Sequence, residues 1–189
     1  MVAQLDVVTV GYAGERVAGT VVAVRDGDLV AVVDPGMVSS RDRILGPLGD
    51  LGIAPEAVTD VVFSHHHPDH TLNAALFPHA RFHDFQAIYQ DDIWQDRTFT
   101  GGASELSPSV RMLLTPGHTR EDVSTVVDTG AGLVVCTHLW WTADGPAEDP
   151  FAPDREVLRA SREMVLALGP ALIVPGHGAP FVPSAGTPR

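Results

Sequence analysis

Ser64-His65-His66-His67-Pro68-Asp69-His70 packs four histidines and a carboxylate into seven residues, directly behind the apolar run Val61-Val62-Phe63. That run reads as a buried β-strand, so the fold must deliver the polar cluster to a strand end. Imidazoles and a carboxylate at this density are costly to bury unpaired, and a divalent cation is the partner that relieves the cost. His65 and His67 are two residues apart and can point the same way, while the turn after Pro68 swings Asp69 and His70 towards a neighbouring position. Two adjacent metal positions are the expectation.

The rest of the chain supplies strands to frame such a loop. Val-rich runs over residues 5–10, 19–24 and 29–33 are separated by Gly- and Asp-bearing turns, with Asp26-Gly27-Asp28 as a hairpin signal. Residues 40–51 place apolar side chains at 44, 45, 48 and 51 behind Ser39 or Ser40 as a cap, which predicts a short helix. Strands are predicted at 59–63, 110–114, 124–127, 133–136 and 172–174. A helix is predicted at 154–168, stopped by Gly169-Pro170. Residues 84–105 read as a helix followed by a loop near the site, and 140–153 as irregular. Strand clusters with helices between them make an α/β protein. No repeat or linker divides the chain, so residues 1–189 are read as one domain with a frayed tail from Ser184.

Composition narrows the partners. Twelve basic against 24 acidic residues give a net charge of −12 with no Lys-rich stripe, which disfavours nucleic acid and favours a small-molecule substrate. The single cysteine, Cys136, cannot form an intramolecular disulfide and fits a reducing compartment. The N-terminus shows no basic segment followed by an apolar one, and nowhere do about 18 apolar residues run together. The expectation is a cytoplasmic protein without a membrane partner; a homodimer is left open.

Two further histidines follow apolar strands: His118 in Thr115-Pro116-Gly117-His118-Thr119 and His177 in Val174-Pro175-Gly176-His177-Gly178. Pro halts each strand and Gly permits close backbone approach, so both imidazoles are presented at a rim. His65-x-His67-x-Asp69-His70, then His118, then His177, with Val33-Asp34-Pro35-Gly36 as an Asp-x-Gly element, resembles the metallo-β-lactamase superfamily over nearly the whole chain. The resemblance implies a four-layer αββα sandwich with the site at one edge. It implies one zinc on His65, His67 and His118 and a second on Asp69, His70 and His177, with Asp34 orienting ligands from behind.

One departure stands out. Most members of that superfamily carry a metal-bridging carboxylate after the strand that here ends Cys136-Thr137-His138. An imidazole cannot bridge as a carboxylate does, so His138 is expected to bind one ion terminally or to stand behind the ligands, leaving occupancy of the second zinc site open. Iron or manganese remain alternatives. Cys136 reads as a small buried hydrophobe rather than a ligand. Trp140 and Trp141 either wall a pocket or pack on the sheet. His66 is expected to face away, His79 and His83 to be solvated or satisfied in the core, and Arg120 and Glu121 to lie on the surface.

The expected function is a metal-dependent hydrolase in which a zinc-bound hydroxide, oriented by Asp69 as the catalytic carboxylate, attacks an ester, thioester, lactone or phosphodiester-type substrate. Two alternatives accompany it: a mononuclear iron enzyme of the sulfur dioxygenase type on His65, His67 and His118, and a degenerate metal-binding member without catalysis.

Overall fold

The computed structural model describes residues 2–189. Seven strands form a first sheet in chain order: β1 (Gln4–Thr9), β2 (Val21–Asp26), β3 (Leu29–Val33), β4 (Asp60–Val62), β5 (Arg81–His83), β6 (Ala87–Gln90) and β7 (Ile93–Asp96). A second sheet has the order β12-β11-β10-β9-β8, from β8 (Ala103–Ser107), β9 (Val110–Leu114), β10 (Val123–Asp128), β11 (Leu133–Thr137) and β12 (Leu172–Pro175). Three α-helices are present among the described residues, α1 (Asp42–Asp50), the single turn α2 (Pro68–Thr71) and α3 (Arg155–Ala167), together with short 3-10 turns at Pro55–Ala57 and Ala74–Leu76.

The near-continuous valine runs follow from burial on both faces of each sheet. In β2, Val22 and Val24 point at the second sheet and join Val33, Met112, Val127, Cys136 and Val174 in the core between the sheets. Their neighbours Val21 and Ala23 point the other way, with Val32 and Val61, onto Ile44 and Leu48 of α1. On the far side, Val126, Val135 and Ile173 meet Leu158 and Val165 of α3. The layers are therefore helix, sheet, sheet, helix, as expected. α3 begins where Asp154 accepts hydrogen bonds from the Glu156 and Val157 amides and is followed by Gly169 at φ 65°. Among the described residues, no helix is long and apolar enough to cross a membrane.

Two expectations are corrected. Residues 84–105 are not a helix: they make β6, β7 and the start of β8. Asp84 accepts from the Gln86 and Ala87 amides, fixing a turn that sends the chain back along β5, and Asp91 takes the left-handed φ of 53° in the next turn. Tyr89 and Trp94 then face each other across the strands, ring centroids 4.6 Å apart. The tail from Ser184, expected to fray, is tied down: the Trp140 indole donates to the Pro188 carbonyl at 2.8 Å and Thr187 is buried.

The topology gathers strand ends at one rim. β4 runs parallel to β3 and β11 parallel to β12, so the segments that leave these strands, carrying Asp34, Ser64–His70, His138 and His177, emerge on the same side. The rim is pinned by Val123 N donating to Ser64 O at 2.8 Å and Thr20 N to Gly176 O at 2.7 Å, each joining the two sheets.

Candidate metal centre

The seven residues singled out as ligands meet at that rim. His65, His67 and His118 offer three ligand atoms within 4.8 Å of one another, and Asp69, His70 and His177 form a second such group. His138 stands between, within the same distance of His65 and His70. Its Nε2 lies 3.0 Å from His177 Nε2, and its ring centroid is 4.1–4.9 Å from those of His65, His70, His118 and His177.

Three of the imidazoles are aimed by a partner behind them. His70 Nδ1 bonds Asp34 Oδ2 at 2.9 Å, His118 Nδ1 bonds Asp149 Oδ2 at 2.7 Å, and His177 Nδ1 bonds the Ala18 carbonyl at 2.9 Å. A carboxylate or carbonyl only accepts, so in these rings Nδ1 carries the proton and Nε2 turns a lone pair inward. Asp34 thus lies where expected, and it also accepts from the Ser64 amide at 2.7 Å. His67 presents Nδ1, 3.0 Å from both His65 Nε2 and His118 Nε2.

These contacts fit a cation. Three ring nitrogens converging at 3.0 Å share at most one proton for two bonds, and His70 Nε2 and His138 Nδ1 are buried without any hydrogen-bond partner. Burial, with the neighbouring imidazoles, depresses the basicity of His65, His67 and His138 and holds them neutral, the form that ligates metal. Burial also lowers His70, but Asp34 and Asp69 overcome it and raise this histidine to about 9, so a bound cation would take the place of a proton on Nε2. In the same exchange Asp69, 3.4 Å from that nitrogen, overcomes its own burial through the proximity of His70 and falls to about 2.

The backbone makes room for these rings. A Cβ on Gly36 would stand 1.6 Å from the Asp69 carbonyl oxygen, and one on Gly176 would stand 2.4 Å from His138 Cδ2.

Cys136 is buried between the sheets and belongs to neither donor group; burial pushes its thiol up, away from thiolate. The tryptophans divide. Trp140 is fully buried under Arg162, whereas Trp141 lines a cavity of about 800 Å³ above His67, Asp69, His118 and His177. His66 turns away to Asp84 and Glu121, at 3.2 and 3.1 Å, so Glu121 is not merely a solvated residue. His83 has the partners that could not be named from sequence: its Nε2 bonds Asp60 at 2.6 Å and Arg97 reaches its Nδ1.

Asp149 was missed. It lies 31 residues beyond His118 in an irregular loop, and no spacing rule links the two; only the fold brings its carboxylate to His118 Nδ1 and to the Trp141 indole.

The profile of the metallo-β-lactamase superfamily matches residues 14–92. Metallo-β-lactamase domain-containing protein 1 of Xenopus laevis is 34% identical over 161 residues, covering 82% of this chain and 69% of that protein. The Homo sapiens protein of the same name is 37% identical over 162 residues, covering 79% of this chain but only 58% of its own length. Among solved structures, a Thermotoga maritima protein assigned to the metallo-β-lactamases superposes with a TM-score of 0.75 at 25% identity, covering 97% of this chain and all of that one. An N-acyl homoserine lactone hydrolase, solved with N-hexanoyl-L-homoserine at its catalytic metal centre, shares the fold at a TM-score of 0.68 and 18% identity, over 93% of this chain and 92% of that chain. With this likeness carried along most of its length, the chain belongs to the metallo-β-lactamase superfamily.

Proposed function

We propose that this protein is a zinc-dependent hydrolase that cleaves an ester-type bond in a small molecule. The observation that carries the reading is the convergence of two inward-facing donor triads on the floor of one open cavity. His65, His67 and His118 would hold one ion and Asp69, His70 and His177 the other, with His138 close to both groups. Zinc bound there supplies Lewis acidity and a water acidic enough to attack near neutral pH.

The chain's own groups do the remaining work. Asp69 stays ionised at neutral pH, and its Oδ2 lies 3.4 Å from His70 Nε2 and 3.5 Å from His177 Nε2. From there it would accept a hydrogen bond from an attacking water and fix its direction. Asp34 and Asp149 keep the Nε2 lone pairs of His70 and His118 inward by holding the Nδ1 protons. Trp141 and Phe151 shield one side of the cavity from water, which strengthens every charge interaction at its floor.

The test is zinc content by elemental analysis beside turnover of thioester, lactone, β-lactam and phosphodiester substrates. Two zincs per chain with hydrolysis of at least one class is the expected result, and His118→Ala should drop zinc to one per chain and abolish turnover. Fully zinc-loaded protein that hydrolyses none of them would leave a metal-stabilised binding protein instead.

A further inference from the structure

The cavity above the ligands has an aromatic wall: Trp141 and Phe151 stack at 5.8 Å with an interplanar angle of 21°, and the Trp141 ring stands edge-on, 5.9 Å from both His118 and His177. The rest of the lining includes Ala13 and Val17 from the loop before β2. Phe151 remains 63% exposed while it lines the cavity, so its ring offers apolar area to whatever enters. The ionisable side chains of the lining are the carboxylates Asp69 and Asp144 and the floor imidazoles; among the described residues no arginine lines it.

Asp149 ties this wall to the floor. Its Oδ2 accepts from His118 Nδ1 at 2.7 Å and from the Trp141 indole at 2.9 Å, while its Oδ1 accepts from the Phe151 amide at 2.9 Å. One buried carboxylate therefore sets a floor imidazole and both aromatic residues, so that a group lying on the wall is held at a fixed distance from His118.

We propose that the substrate is an acyl compound whose non-reacting substituent is uncharged and apolar, aryl or alkyl, and rests on the Trp141–Phe151 wall, with Asp149 as the positioning residue that fixes wall and floor together. The chemistry rests on the hydrolase reading above; the binding preference does not. The size of the cavity suits a small molecule, and the stacked rings offer a π-face and apolar area. A substrate with an anionic tail would find Asp144 and no cationic partner beyond the floor, and a nucleic acid would find none along its backbone.

The experiment measures binding of three amides to the zinc-loaded full chain by ligand-observed NMR: acetamide, 2-phenylacetamide and succinamate, which differ in the substituent on one carbonyl. The expected order places 2-phenylacetamide roughly tenfold tighter than acetamide, while succinamate, whose carboxylate can reach the floor zinc, should bind independently of the wall residues. Trp141→Ala and Phe151→Ala should each erase most of that preference with zinc content unchanged. Phe151 is exposed, so its variant tests the wall even where Trp141→Ala fails to fold. Asp149→Asn should weaken both the preference and zinc retention, a pairing that a purely structural role in the loop would not give.

Equal affinity for acetamide and 2-phenylacetamide, succinamate binding that falls with the wall variants, or wall variants that bind 2-phenylacetamide like the parent would overturn the proposal. Ester turnover, followed in parallel with phenylacetate and acetate thioesters, separates the two readings. A wall-dependent binding preference without turnover sinks the hydrolase and keeps the wall; turnover without preference sinks the wall and keeps the hydrolase.

Discussion

At the scale of single residues, the decisive fact is which ring nitrogen each histidine turns inward. That choice is made by acceptors remote in sequence: Asp34 for His70, Asp149 for His118 and the Ala18 carbonyl for His177. The histidines were legible in the sequence because imidazole is rarely crowded without a purpose. Asp149 was not legible, because an acidic residue in a Pro- and Asp-rich loop has no local feature that separates a buried acceptor from a solvated one. His138 is similar: its strand-end position was readable, whereas its place among four other imidazoles depends on Gly176. A methyl group there would meet the His138 ring at Cδ2 and Nε2, at 2.4 and 2.8 Å. Gly176→Ala is therefore expected to displace His138 and to cost about 1–3 kcal/mol through overpacking. Elemental analysis should show weaker retention of the second zinc, with the first retained; unchanged content in both would mean that His138 does not touch the ions.

At the scale of elements, most of the fold could be read from valine runs and turn chemistry, and residues 84–105 could not. The turn between β6 and β7 carries Asp91 and Asp92 rather than glycine, and its apolar residues are few, so neither period declared itself. What holds this corner is a polar network. Asp60 at the start of β4 accepts from His83 of β5 at 2.6 Å and pairs with Arg81 at 2.8 Å. Burial opposes ionisation of Asp60, but His83, Thr59 and Arg81 outweigh it and hold the carboxyl at about 2, below the ordinary 3.8. A depressed carboxyl stabilises the fold above its ordinary pKa and loses that contribution as pH falls through the folded value. Asp60→Asn is thus expected to cost about 2 kcal/mol at pH 7. In urea titrations that deficit should shrink as pH drops from about 4 towards 2, and a deficit independent of pH would refute the linkage.

At the scale of the whole molecule, the donors come from four separate chain segments, so a bound ion ties both sheets together at one rim. A ligand that binds the folded chain alone stabilises it by about 4 kcal/mol at a thousandfold excess over its Kd. For a chain of this size that corresponds to a Tm shift of roughly 10 °C. Calorimetry before and after chelation should show that drop, reversed by added zinc; an unchanged Tm would mean that the triads take no ion in the folded state. The sequence by itself determined that the strands are buried on both faces, since adjacent valines of a strand point to opposite sides, and its motifs carried the resemblance that implies the four layers; it also determined the candidate ligands, since few other residue types bind a divalent ion so well. Only the tertiary structure decided which acceptor aims each ring, which tryptophan is core and which is wall, and that Asp149 joins that wall to His118. Those are contacts between residues tens of positions apart, set by how two sheets pack and by how the loop of residues 140–153 folds over their rim, and no local pattern encodes them.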